Sequence, residues 1–383
     1  MRAEDEVIYL DNNSSTRIDP AVLEEMMPFL TSRYGNPSGS HRFGAKVKEA
    51  TEQAHKRVAN LLGCQPNEII FTSGGTESDN TALHSALQMS PERRHVVTTA
   101  VEHNAVLNYC EAVGRHGCQV TTVPVDEEGH LDLGELERAI RPETAVVSVM
   151  WANNETGVIY PIEEIAEMCR AKGVFFHTDA VQAVGKMSID LSRLPIHFLS
   201  LSGHKLHASK GVGALYVNHK ARFQPMMIGG PQEGGRRAGT DNVASIVGLG
   251  KAAELAAETL TEENIRVRNL RDRFESTLLS ELENVSVNGD RNHRLPNTSN
   301  LAFNGIDAQA ILVKLDQEGV CCSLGSSCTT GSVQPSHVLR AMHLPNERAR
   351  SSIRFSFGRY NTEEELDRVL EMIPRIVRKL RAL

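Results

Sequence analysis

Five stretches of the chain set reactive or charge-bearing side chains directly after apolar, β-branched runs. S-L-S-G-H-K (200–205) delivers Ser202, His204 and Lys205. A lysine flanked by Ser and His, and followed by the Gly-containing run V-G-A-L-Y-V-N, is a candidate for a partly buried amine. Burial lowers an amine's pKa and makes it a nucleophile toward carbonyls. V-F-F-H-T-D-A-V-Q (174–182) carries His177, Asp179 and Gln182. A carboxylate at such a point requires a positive partner, whereas His177 reads as a packed ring. S-G-G-T (73–76) opens a helical stretch. Its backbone N–H groups and helix dipole would cradle an anion, and they serve equally as a plain N-cap and tight turn. A-V-E-H-N-A (100–105) puts His103 at a strand-to-helix junction, as a cap, a core ring or a functional group. W-A-N-N-E-T-G (151–157) supplies amides and a carboxylate in a turn, where Asn is common in any case.

No one stretch is decisive, but the set describes a ligand. An anion cradle, an amine for a carbonyl, a carboxylate and a flat imidazole suit pyridoxal 5'-phosphate. Its ring nitrogen stays protonated beside a carboxylate, which lets the ring accept electrons. Its ring oxygen takes donors such as Gln182 or Asn154.

A sixth stretch, C-C-S-L-G-S-S-C-T-T-G (321–331), holds three of the seven cysteines. A metal site, a disulfide and a catalytic thiol are the options. Cys321, Cys322, Cys328 and His337 have no recognised ligand spacing, so no metal is expected. A Cys321–Cys328 disulfide is disfavoured in a reducing compartment. Cys321 and Cys322, ending the strand-like E-G-V-C-C, read as small core residues.

These groups need a scaffold, and the hydrophobic pattern supplies one. Runs such as 68–73, 95–100, 119–125, 145–152, 174–180, 197–203 and 212–218 read as strands. Amphipathic stretches at 76–88, 104–117, 133–140 and 162–173 alternate with them. That alternation predicts an α/β fold with a mostly parallel sheet between helices, and chemistry at the strands' carboxyl ends. A charged helical run at 251–283, strands near 298–303 and 352–357, and a helix at 362–381 suggest a smaller α+β domain. The expected division is 14–250 for a large cofactor-binding domain. Residues 1–13 and 251–383 form the small domain, which carries the cysteine loop at about 321–335.

The 383 residues carry a net charge of −7 with 40% hydrophobic and 23% charged side chains. That balance argues against nucleic acid or an anionic membrane as partner. No basic start followed by an apolar run suggests export, and no apolar stretch approaches membrane length. A cytoplasmic protein with reduced thiols is expected.

The motifs resemble those of the class V aminotransferase group of pyridoxal-phosphate enzymes, and within it the cysteine desulfurases of the NifS/IscS kind. The resemblance runs from Y-L-D-N-N-S-S-T (9–16) to R-F-S-F-G-R-Y-N-T (354–362). It includes F-T-S-G-G-T-E-S, E-H-N-A-V-L, N-N-E-T-G, H-T-D-A-V-Q, S-G-H-K and R-R-A-G-T. It implies the pyridoxal-phosphate fold type I. It also implies that Lys205 is the Schiff-base lysine, Asp179 the partner of the ring nitrogen, Gln182 a donor to the ring oxygen and His103 the ring-stacking, proton-moving histidine. Gly75, Thr76, Ser202 and His204 match the phosphate site. Thr240 matches a residue reaching the other subunit's phosphate, which implies a homodimer. Asn154 and Arg354 match the residues that hold the amino acid. Cys328 sits where the family keeps its catalytic thiol, implying conversion of L-cysteine to L-alanine with sulfur kept as a persulfide. An acceptor protein such as an iron–sulfur scaffold would then receive the sulfur. Alternatives are a selenocysteine lyase or other β-lyase, and a non-catalytic scaffold or regulator of the same fold. The chain departs from the family pattern at Leu324, Ser327, Gly234 and the run 204–211.

Overall fold

The structure is a computed structural model that describes residues 7–324 and 335–382. Strand β1 (Ile8–Tyr9) and helices α1 (Pro20–Leu30) and α2 (Arg42–Leu62) precede the central sheet. Asp19 caps α1 just ahead of Pro20, and α2 stops where Gly63 turns left-handed. The sheet strands are β2 (Ile69–Thr72), β3 (His95–Thr99), β4 (Gln119–Val123), β5 (Thr144–Ser148), β6 (Phe175–Asp179), β7 (Phe198–Ser202) and β8 (Gly213–Val217). Between them run α3 (Gly75–Met89), α4 (Asn104–Arg115), α5 (Leu133–Ala139) and α6 (Ile162–Lys172).

The strand order is β2-β8-β7-β6-β5-β3-β4. The pairs from β4 to β7 are parallel, while β8 runs antiparallel to both neighbours. This corrects the grouping of 212–218 with the crossover strands. The link from β7 to β8 is too short for a crossover and contains only a single 3-10 turn, Gly203–Lys205, so the chain returns beside itself. Because β2 is also antiparallel to β8, it points the same way as β7. The carboxyl ends of β2, β3, β5, β6 and β7 therefore share one edge. The inner strands β3, β5, β6 and β7 are almost wholly buried, as expected when helices cover both faces.

Beyond the sheet comes α7 (Val243–Glu281), then β9 (Val285–Val287), β10 (Thr298–Phe303), α8 (Ala308–Gln317), β11 (Val320–Cys321), α9 (His337–Ala341), α10 (Asn346–Arg350), β12 (Ser352–Ser356) and α11 (Glu363–Arg381). Antiparallel β12-β10-β9 and the parallel pair β1-β11 carry a second apolar core that includes Phe274, Phe303, Phe355 and Ile373. Helix α7 belongs to both cores. Its first half buries Ile246, Leu249 and Ala253 against α1 and α2, and its second half buries Leu270, Phe274 and Leu278 in the other core. It starts at Val243, ahead of the expected 251. The run V-A-S-I-V-G-L-G hides the helical pattern with glycines, and the fold needs them. A Cβ on Gly250 would lie 2.7 Å from the Ala54 backbone, so only glycine permits this crossing. No helix among the described residues is long and apolar enough to cross a membrane.

A buried ion pair fastens α7 to the segment before β10. Arg294 grips Glu275 through two hydrogen bonds of 2.6 Å, both side chains 3% exposed. Removing one member strands the other's charge in the core. Glu275→Ala should lower the unfolding free energy by about 3–5 kcal/mol in urea titrations. The double change Glu275→Leu, Arg294→Met should recover most of that loss. A single-variant loss below about 1 kcal/mol would show the pair to be hydrated.

Candidate active site

The turn after β7 aims Lys205 at the N-terminal segment. Its Nζ donates to the carbonyls of Asn13 at 2.6 Å and Ser14 at 2.5 Å. The turn is fixed from the same side, since the His204 carbonyl accepts from both N–H and Oγ1 of Thr16. The amine is thus half-buried, with backbone carbonyls beside it.

At the ends of β6 and β3, and on the first turns of α3, lie carboxyl groups. Asp179 accepts the Val181 N–H at 2.9 Å. Asp79, 1% exposed, has an Oδ1 with no hydrogen-bond partner. Glu102 accepts from Thr99 Oγ1 and Met150 N through Oε1, and its buried Oε2 has no partner. Burial pushes Asp79 up to about 7 and Glu102 up to about 8. Asp179 is raised as well, by burial first and then by the Asp79 charge. No Lys or Arg pairs with these three among the described residues.

His177 Nε2 stands 3.4 Å from Asp79 Oδ1, yet this is not an ion pair. Burial holds the ring down to about 4. Its nitrogens are occupied by Ser148 Oγ at 2.8 Å and Ser200 Oγ at 3.0 Å. His177 is a neutral spacer beneath the site, as a packed ring should be.

His103 caps α4, its Nδ1 accepting the Ala105 N–H at 3.1 Å. Its other nitrogen then carries the proton. Burial lowers its pKa, opposed by Asp179 and reinforced by Lys205. One ligand-type atom each from Asp79, His103 and Asp179 falls within 4.8 Å of the others. With an N–H rather than a lone pair facing inward, this trio suits a flat, hydrogen-bonding ligand better than a metal ion.

Beside it opens the N-terminus of α3. No side chain caps it, so its leading N–H groups are available to an anion. A Cβ on Gly75 would meet Val181 Cγ2 at 2.7 Å, and the Gly74 backbone lies against Gly213 and Ser202. Ser202 is buried, Thr76 exposed. His204 reaches Ser15 Oγ at 3.3 Å, and burial followed by the Lys205 charge holds its ring down to about 4. Arg237 grips Glu77 at 2.8 and 3.1 Å on this side. Thr240, three residues on, is exposed, and no described hydrogen bond ties it to the cluster.

Opposite the sheet edge, Arg354 of β12 is 1% exposed. It donates to Asp11 Oδ1 at 2.7 Å and to the Asn154 carbonyl at 3.0 Å, while its Nε has no partner. The Ser323 backbone pairs with that of Arg354, and Ser336 Oγ donates to the buried Glu155 at 2.5 Å. His337 Nε2 meets the Glu102 carbonyl at 3.0 Å. Cys328 lies outside the described residues, but the described chain on either side of it is fastened at this site.

Sequence reasoning overlooked Asp79, Asn13, Asp11 and Lys186. Asp79 had a readable signal: it follows Gly75 by four positions, so it shares the cradle's helix face. Asn13 acts through its carbonyl, which no residue type announces.

The aminotransferase class-V family model matches residues 8–369. A cysteine desulfurase of Nostoc sp. is 53% identical over 377 residues, covering 98% of this chain and 94% of the relative. The cysteine desulfurase NifS of Azotobacter vinelandii is 52% identical over 375 residues, 98% and 93% respectively. Among solved structures, a NifS-like protein superposes with a TM-score of 0.92 at 37% identity, covering 98% of this chain and all of that one. A structure described as SspA in complex with cysteine reaches 0.82 at 34% identity, covering 93% and 100%. The architecture is that of fold type I, and the chain belongs to the class V aminotransferase family.

Proposed function

We propose that the chain is a pyridoxal-phosphate-dependent cysteine desulfurase that turns L-cysteine into L-alanine and holds the sulfur as a persulfide on Cys328. The observation that carries the reading is the buried carboxyl group cluster of Asp79 and Asp179, which no Lys or Arg pairs among the described residues, near the Lys205 amine and the uncapped N-terminus of α3. Those features fit a ligand with a cationic ring nitrogen, a carbonyl carbon and a phosphate. When bound, pyridoxal phosphate supplies an electron sink that stabilises negative charge at the substrate Cα and loosens its C–S bond.

The chain's residues do the rest. Asp179, backed by Asp79, holds a proton on the ring nitrogen. Gly75, Thr76, Ser202 and His204 bind phosphate, with Thr240 contributing to the partner subunit's site. Gln182 and Asn154 donate to oxygens near the Lys205 end. Arg354 takes the substrate carboxylate through Nε and a neighbouring N–H, its other donors being engaged by Asp11 and Asn154. Lys205 moves the α-proton, and His103, whose Nδ1 accepts the Ala105 N–H so that its other nitrogen bears hydrogen, exchanges protons with the bound ligand. The Cys328 thiolate attacks the substrate sulfur: an S–S bond forms as the Cβ–S bond breaks, and a proton delivered to Cβ completes alanine.

The division into a large unit, 14–250, and a small one, 1–13 with 251–383, belongs to this reading, with the separate apolar cluster of the small unit, joined by α7 to the main cluster of the large one, as its support. So does a homodimer: Leu30, Tyr34 and Ile228 are 60%, 77% and 84% exposed, apolar area that a second copy would cover. The six described cysteines are unpaired, in keeping with work in the cytoplasm and delivery to an acceptor such as an iron–sulfur scaffold protein.

Two predictions follow from the site. Cys328→Ala, given L-cysteine, should form sulfide and alanine at less than about a hundredth of the wild-type rate, because no other thiol is assigned the attack. Wild-type rates of both products would remove Cys328 from the reaction. The second concerns Asp79, whose carboxyl is raised from about 3.9 unfolded to about 7 folded. Between those values the folded state binds more protons, so stability falls as pH rises, by up to about 4 kcal/mol. Asp79→Asn should therefore raise the urea midpoint of the apoprotein at pH 8 and leave it unchanged near pH 4. A pH-independent difference would contradict the buried-charge account.

A further inference from the structure

Lys186 is a second amine near Lys205, and the chemistry above gives it no task. Its Nζ donates to Gln182 Oε1 at 2.7 Å. Gln182 is 4% exposed, and its Nε2 donates to the Asn13 carbonyl at 2.9 Å, the same oxygen that receives Lys205. The backbone of Lys186 is held in turn, its carbonyl accepting from Asn264 of α7 at 2.9 Å. Lys186 and Lys205 both line a small cavity that also includes Asn12, Glu263 and Asn264.

The two ends of a glutamine amide have the same shape and opposite hydrogen-bonding character. A backbone carbonyl can only accept, and the Lys186 amine has hydrogens to donate in either protonation state. Set between Asn13 O and Lys186 Nζ, the Gln182 amide is satisfied in one orientation alone, with its NH2 group at the Lys205 end. Turned over, it would set oxygen against oxygen and nitrogen against nitrogen.

Resting on the cofactor reading above, we propose that Lys186 is a positioning residue: by holding the carbonyl of Gln182 it presents the amide N–H not engaged by Asn13 to an anionic ring oxygen beside Lys205. The position is an expensive one for a lysine. Lys205 and Arg354 are the neighbouring cations, Glu263 is the main anion, and burial pushes the Lys186 amine down to about 7. A side chain whose role was to fill space would be apolar there. No ion pair of Lys186 is found among the described residues, so the hydrogen bond to Gln182 is what distinguishes it from a methionine.

The test is a double-mutant cycle on cofactor affinity, read by titrating each apoprotein with pyridoxal phosphate and following absorbance of the bound form. Lys186→Met should weaken binding about five- to tenfold, the effect of one buried acceptor left without a donor. Lys186→Arg should restore most of the affinity. With Gln182→Leu already in place, Lys186→Met should change the dissociation constant by less than about twofold. Equal losses in both backgrounds, or no loss beside an intact Gln182, would overturn the proposal. Should Lys186→Met fail to fold, Lys186→Gln enters the same cycle with the same criterion. A wild-type apoprotein that takes up no pyridoxal phosphate would instead sink the cofactor reading itself.

Discussion

Carboxyl groups buried with no Lys or Arg paired to them among the described residues are the constraint around which this molecule is arranged. Asp79, Asp179 and Glu102 lie beneath the common edge of the sheet, and an oxygen of Asp79 and one of Glu102 have no hydrogen bond. Their neighbours cannot move away. The strands β3, β5, β6 and β7 beside them are buried on both faces, and His177, the base next to Asp79, is neutral and bound to two serines. Carboxylates held this way oppose folding unless they are protonated or meet a cation. A ligand that brings the cation converts that opposition into binding energy and stabilises the fold by linkage.

The cations are gathered on the other wall. Lys205 and Arg354 face the N-terminal segment, whose Asn13 and Ser14 carbonyls and Asp11 carboxylate receive them, and Lys186 reaches the same Asn13 carbonyl only through the Gln182 amide. That segment also joins the two cores. Asn13 donates to Thr298 Oγ1 at 2.8 Å and accepts from Asn297 at 2.8 Å, while Asn12 donates to the Ser356 carbonyl at 2.9 Å. On the proposed reading, a floor of buried carboxyl groups facing a wall of cations would sort a ligand by its ends, with a cationic ring below and a carboxylate toward Arg354. Position follows from charge before any specific contact is made.

Much of this was readable in the sequence, for identifiable reasons. Lys205, Asp179 and His103 follow apolar β-branched runs, so a strand end and its polar cargo are visible together. Gly75 and Thr76 advertise a helix start. Apart from Asp79, whose spacing from Gly75 could have been read, what escaped had no local signature. Asn13 contributes a backbone oxygen, and Lys186 sits in a turn where a lysine would ordinarily be solvated. The direction of β8 depended on a connection too short for a crossover rather than on its own residues. The start of α7 was masked by glycines whose purpose, a close approach to α2, exists only in the folded chain. Local pattern reports which residues are odd; tertiary approach decides what the oddity is for.

The most direct test of the charge account is the protonation state of the ring nitrogen itself. Pyridoxal phosphate labelled with 15N at that position, bound to the wild-type protein, should show the nitrogen shift of a protonated ring throughout pH 6 to 9. It should move toward the neutral value when Asp79 and Asp179 are both replaced by asparagine. A neutral-ring shift in the wild-type protein at pH 7 would contradict the claim that these buried carboxyl groups exist to hold a cation.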